Sequence, residues 1–186
     1  MTIDYGPLTG LIGAWEGDKG MDIAPEPDGT EENPFYESIV FEDAGDVENF
    51  ESQLLTIVRY HQVVRRKSND EVFHDQVGYW LWDAEARVVM QTLTIPRGVS
   101  LTAGGTAEGD GKSAPVVLSV RAALGDEDWG ISQSPVMRDN ASTLAFVHRL
   151  TIDGDDISYA ETTTLEIYGR RFEHTDANVL RRRAES

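Results

Sequence analysis

The chain has 186 residues, with 33 acidic against 16 basic side chains, a formal net charge of -17 and no cysteine. Such an anion is repelled by phosphate backbones and anionic bilayers, which argues against nucleic acid as a partner, and the lack of thiols excludes disulfides and thiolate metal or redox centres. A hydrophobic fraction of 40% with 17 glycines points to a turn-rich β domain of the cytoplasm, with no apolar run long enough to span a membrane and no signal pattern in residues 1–5.

The pattern begins at residues 11–17, where Gly13, Trp15 and Gly17 share one face of an extended strand. Glycine inside a strand marks a bend or a close backbone approach, and a large aromatic between two such gaps can plug a barrel end. Residues 18–34, with Pro25, Pro27, Asp28-Gly29 and Pro34 among many acids, read as a loop folded over the barrel end. A strand over 35–42 and a turn at Asp43-Ala44-Gly45-Asp46 follow. Residues 54–64 and 72–82 pair about a hairpin tip at Ser68-Asn69-Asp70. Bulky side chains on both parities of the second strand leave open whether His74 points inward. Further strands are expected over 87–95, 99–103 and 116–124. Residues 125–140 are irregular, with a short helix or a covering loop. Leu144, Phe146, His148, Leu150 and Ile152 then alternate, which places His148 on an apolar face. Asp153-Gly154-Asp155 makes a hairpin turn into a strand over 157–168.

Nine or ten strands at hairpin spacing in one domain favour an all-β, antiparallel up-and-down barrel over a Greek-key sandwich. A barrel of this size can enclose one small-molecule ligand. No Gly-x-Ser-x-Gly elbow, phosphate-binding glycine loop or His-Glu-x-x-His motif is present. The candidate chemistry therefore rests on four histidines. His148 suits either a hydrogen-bonded core position or a ligand contact. His174 lies near the carboxyl terminus, where the chain can close over a barrel mouth. His61 reads as structural or surface. A zinc site built from three of them is a further option.

Gly13-Ala14-Trp15-Glu16-Gly17, Phe73-His74-Asp75-Gln76-Val77-Gly78-Tyr79, Asp153-Gly154 with Ile157-Ser158-Tyr159, and His174 with Ala177 occur in this order. Together they resemble the nitrobindins, haem-binding β-barrels akin to fatty-acid-binding proteins, and their actinobacterial members in particular. The resemblance implies haem b with His174 as proximal iron ligand and His74 on the distal, catalytic side. Gly13, Trp15, Gly17 and His148 complete the expected cofactor-binding set. It also implies nitric oxide binding and isomerisation of peroxynitrite to nitrate at ferric haem. Two departures stand out. Lys19 occupies the place of the motif's third alternating glycine, and a lysine that the family sets near the haem is replaced around residues 141–143. The alternative is a haem-free carrier or sensor of a small apolar carboxylate, with Arg170 or Arg149 as counter-ion. A monomer or homodimer is expected.

Overall fold

The structure, a computed structural model, describes residues 3–111 and 115–184; residues 1 and 2 of the leading segment lie outside them. A 3-10 turn over Gly6–Leu11 precedes β1 (Gly13–Glu26), β2 (Gly29–Asn49), β3 (Gln53–Arg66), β4 (Val72–Asp83), β5 (Val88–Ile95) and β6 (Val99–Glu108). After these come β7 (Val116–Ala123), β8 (Ile131–Gln133), α1 (Pro135–Asn140), β9 (Ala141–Asp153), β10 (Asp156–Ile167) and β11 (Arg170–Arg182). Each strand pairs antiparallel with its neighbour, β11 returns to β1, and β5 pairs with β6. The result is the closed ten-strand barrel that the hairpin spacing predicts, with the three-residue β8 alongside the first half of β6. No helix among the described residues is long and apolar enough to cross a membrane.

Three local expectations are corrected. Residues 18–34 are not a loop: β1 and β2 continue as a ladder out to Glu26↔Gly29. The acids and prolines there reflect a hairpin extension, much of it exposed, where proline is tolerated off the main ladder. Residues 43–46 are an irregularity within β2, where the register to β3 shifts, rather than a turn. His174 lies inside β11, not after the last strand.

The bulge in β1 explains the lysine. Gly17 pairs with Glu37 and Gly20 with Phe35, so β1 carries one extra residue at 18–19. Lys19 is turned out to solvent and Gly20 takes the buried position, so the third glycine is present, one residue late. The displaced Lys19 N–H donates to Asn178 Oδ1 at 3.2 Å. A Cβ at Gly20 would lie 2.0 Å from the Phe35 ring. Gly20→Ala is therefore expected to displace that ring and destabilise the fold by about 1–3 kcal/mol, read as a lower urea midpoint at unchanged m.

The interior is stacked in three tiers. The closed end holds Trp15, Phe41, Val58, Trp80, Leu150 and Ile157, capped by Leu8 and Leu11 of the 3-10 turn, all buried. A polar middle tier contains Glu37, Tyr60, Gln76, Gln91, His148 and Asn178. The third tier surrounds a cavity at the opposite end, beside α1.

Candidate functional site

The cavity has a volume of about 300 Å³ and is walled by Phe35, Val64, Phe73, Leu93, Ile95 and Leu165, with Met137 of α1 at its side. That is the lower end of the range for small-molecule pockets. His74 from β4 and His174 from β11 both line it, because each occupies an inward position of its strand.

His174 is not a free base. Its Nε2 lies 2.5 Å from Oδ1 of the buried Asp22 and 3.5 Å from Oδ2 of Asp176. Asn33 Nδ2 donates to the other Asp22 oxygen at 2.8 Å. Burial opposes a charge on the imidazole, but the Asp22 hydrogen bond and the two carboxylates outweigh it and raise its pKa. Burial likewise disfavours the Asp22 anion, yet the His174 and Asn33 hydrogen bonds bring its pKa below the usual value. Burial drives Asp176 up to about 7, and it drives Glu161, helped by Asp176, up to about 8.

His74 behaves oppositely: burial depresses its pKa, so it is neutral at pH 7. Its tautomer is fixed from behind. Gln76 Nε2 donates to the Tyr60 hydroxyl at 2.8 Å, which turns Gln76 Oε1 toward His74 Nε2 at 3.2 Å and makes that nitrogen the donor. Gln91 donates to the same hydroxyl at 2.9 Å and accepts from His148 Nδ1 at 2.9 Å. His148 Nε2 is then a bare lone pair, buried with no partner. Burial pushes the pKa of His148 down to about 4, so its 3.9 Å approach to Glu161 joins two uncharged groups at pH 7.

Two arginines mark the rim. Arg66 stacks its guanidinium 4.8 Å from the Phe73 ring centroid, and its buried Nε has no hydrogen-bond partner. Arg97 lines the cavity and donates to the Phe73 carbonyl at 3.2 Å.

Of the residues singled out by sequence, the structure brings together His74 and His174. His148 lies beneath the cavity floor in the polar tier and is not a wall residue. Gly13, Trp15 and Gly17 sit at the closed end, away from the cavity. There Arg182 stacks 4.2 Å from the Trp15 ring, and a Cβ at Gly17 would meet the Val179 carbonyl at 2.7 Å. His61 is exposed and pairs with Asp75 at 3.2 Å, and among the described residues no three histidines bring ligand atoms together. Arg170 and Arg149 are on the outside, bonded to the Glu26 and Gly29 carbonyls and to Ser119 respectively. The reading from sequence missed Asp22, Glu161, Asp176 and Arg97. The signal for Asp176 was its place two residues after His174; that for Asp22 was its place two residues after Gly20.

These walls, an imidazole in reach and an unpartnered guanidinium nitrogen at the rim suit an apolar molecule with an acidic edge, and a whole haem, larger than the 300 Å³ enclosed, needs the mouth to open around it. The condition for haem is that His174 Nε2 exchanges Asp22 for iron.

Residues 4–182 match the family described as the THAP4-like, heme-binding beta-barrel domain, and the chain belongs to that family of haem-binding β-barrels. The nitrobindin resemblance is thereby borne out. Among solved structures, that of Rv2717c from M. tuberculosis superposes with a TM-score of 0.69 over 95% of each chain at 21% identity, a likeness of fold. None of the curated proteins matches the chain.

Proposed function

We propose that this chain holds haem b in the cavity, with His174 as axial ligand, His74 on the opposite side and Arg66 meeting a propionate. The observation that carries the reading is the pairing of a cavity-lining imidazole with a buried, unpartnered Arg66 Nε at one apolar mouth. A buried cationic donor left unsatisfied loses free energy that an acidic ligand group restores. When bound, ferric haem would supply a Lewis-acidic centre suited to nitric oxide binding and to isomerising peroxynitrite to nitrate without an external reductant. The chain's own part is to orient and to exclude water. His74, neutral and held as the Nε2–H tautomer by Gln76, presents a fixed imidazole to the bound small molecule. The phenylalanine and aliphatic walls keep bulk solvent out.

Hemin titration followed by visible absorption tests this. The wild-type chain is expected to develop a Soret band at one haem per chain, and His174→Ala should abolish or shift it. An unchanged spectrum in that variant would refute the assigned role. The same Arg66 observation favours a second reading, a carrier of a small apolar carboxylate, with Arg66 replacing Arg170 and Arg149 as counter-ion. Its signature is displacement of a fluorescent fatty-acid analogue, weakened at least about tenfold by Arg66→Gln, in protein that shows no Soret band.

A further inference from the structure

Five polar side chains cross the barrel in one hydrogen-bonded line, from His148 of β9 through Gln91 of β5, Tyr60 of β3 and Gln76 of β4 to His74 of β4. The first four are all more than nine-tenths buried, so neither amide can turn to water. The line is anchored at its far end. The His148 ring packs among Trp80, Phe146 and Tyr159, with ring centroids at 5.6, 6.1 and 5.6 Å, and its Nε2 meets no partner there. A hydrogen on that nitrogen would be stranded among the rings, so the imidazole carries it on Nδ1 and gives it to Gln91 Oε1 at 2.9 Å. Gln91 is thereby turned with its Nε2 toward the Tyr60 hydroxyl. Gln76 donates to the same oxygen, which fills both of its lone pairs.

The near end faces the ligand. With the Nε2–H of His74 spent on Gln76 Oε1, the nitrogen left over is Nδ1, which carries a lone pair. Nδ1 makes no hydrogen bond among the described residues and is not sealed within the wall, so that lone pair opens on the cavity. Arg66 and Arg97 can receive a negative group at the rim, but His74 rewards only a group that brings a hydrogen.

We propose that the cavity selects an apolar ligand bearing a hydroxyl or other hydrogen-bond donor, which His74 Nδ1 accepts, and that Tyr60 is the positioning residue that sets this preference through Gln76. Without the phenol oxygen, nothing fixes which end of the Gln76 amide faces His74. The amide is then free to turn over and offer Nε2–H to His74 Nε2. The imidazole hydrogen would move to Nδ1 by exchange with solvent, and the cavity would be met by a donor instead of an acceptor. The inference rests on the reading of this cavity as a ligand site. It holds whether the donor belongs to a small molecule beside haem or to a carried acid.

The test uses full-length protein labelled with ¹⁵N-histidine, with phenol and toluene as probes of nearly equal shape, with and without the hydroxyl. Long-range ¹H–¹⁵N spectra of the wild type are expected to show His74 protonated at Nε2 and bare at Nδ1. Phenol should shift the Nδ1 signal upfield, and toluene should not. The phenol-to-toluene affinity ratio is expected to fall at least about threefold in His74→Phe. Tyr60→Phe should show a mixture of the two His74 tautomers. Gln76→Met, which removes the acceptor itself, gives the same mixture should the first variant fail to fold. An Nδ1–H tautomer in the wild type, an unchanged tautomer in the folded variant, or an unchanged ratio in His74→Phe would overturn the proposal. Hemin titration reads His174 instead, so a missing Soret band with the tautomer and the phenol preference intact would sink the haem reading alone.

Discussion

Alanine at position 15 is expected to lower the stability of the barrel by about 3–5 kcal/mol. Trp15 is fully buried at the closed end, and its indole N–H donates to the Leu11 carbonyl at 2.7 Å. That bond ties the 3-10 turn to β1. Arg182 lies over the indole face at 4.2 Å while its Nη atoms donate to the Ile12 and Gly10 carbonyls at 2.6 and 2.8 Å. Removing the ring would therefore open a cavity, leave the Leu11 carbonyl unpaired and loosen the cap. Urea unfolding should show a large fall in midpoint for Trp15→Ala and a smaller one for Trp15→Phe, which keeps most of the volume. A loss below about 1 kcal/mol for Trp15→Ala would contradict this account.

The second large effect is in pH. Glu161 titrates at 4.5 in the unfolded chain and at about 8 when folded. The folded state binds the extra proton throughout that window, so the stabilisation present below pH 4.5 drains away as pH rises to about 8. The full shift corresponds to at most about 5 kcal/mol. Asp176, raised to about 7, acts in the same direction. His148 opposes them. It stays neutral when folded down to about 4 but protonates near 6.5 when unfolded, so it adds stability as pH climbs between those values. The opposing slopes offset one another below 6.5, and above it only the loss remains. Stability measured by urea unfolding is expected to fall by a few kcal/mol between pH 6.5 and 8.5. Glu161→Gln should be flatter over that interval and more stable than the wild type at pH 8.5; an identical slope in the variant would rule out Glu161 as the cause.

How much was legible depended on whether side-chain alternation survived. Leu144, the first of the alternating series in β9, falls at a register shift to β10, and Thr143 takes the buried place instead. The rest of that inward set, Phe146, His148, Leu150 and Ile152, reads directly, and all four are buried. In β4 it does not, since Val77 and Tyr79 face outward half-exposed while Trp80 is buried. There, only the register to β3 and β5 turns His74 inward. A bulge defeats the method differently: counting by twos from Gly17 reaches Lys19, and the extra residue moves the buried site to Gly20. The carboxyl groups of the cavity were invisible for another reason. An Asp or Glu in a strand is ordinarily taken for its solvent face, and Asp22 and Asp176 meet across 154 positions of sequence only once β1 and β11 close the barrel.

The barrel wall is not equally strong all round. Between β8 and the start of β9 no backbone ladder forms. The gap is spanned by the Gln133 side chain, which donates to Ser142 Oγ and the Thr143 carbonyl at 3.1 and 3.2 Å and accepts from the Thr143 N–H at 2.8 Å. One amide thus imitates a missing stave. Since α1 and the cavity lie against this stretch, parting it frees a doorway for the breaking of three side-chain bonds, whereas parting β2 from β3 or β10 from β11 must unzip a long backbone ladder.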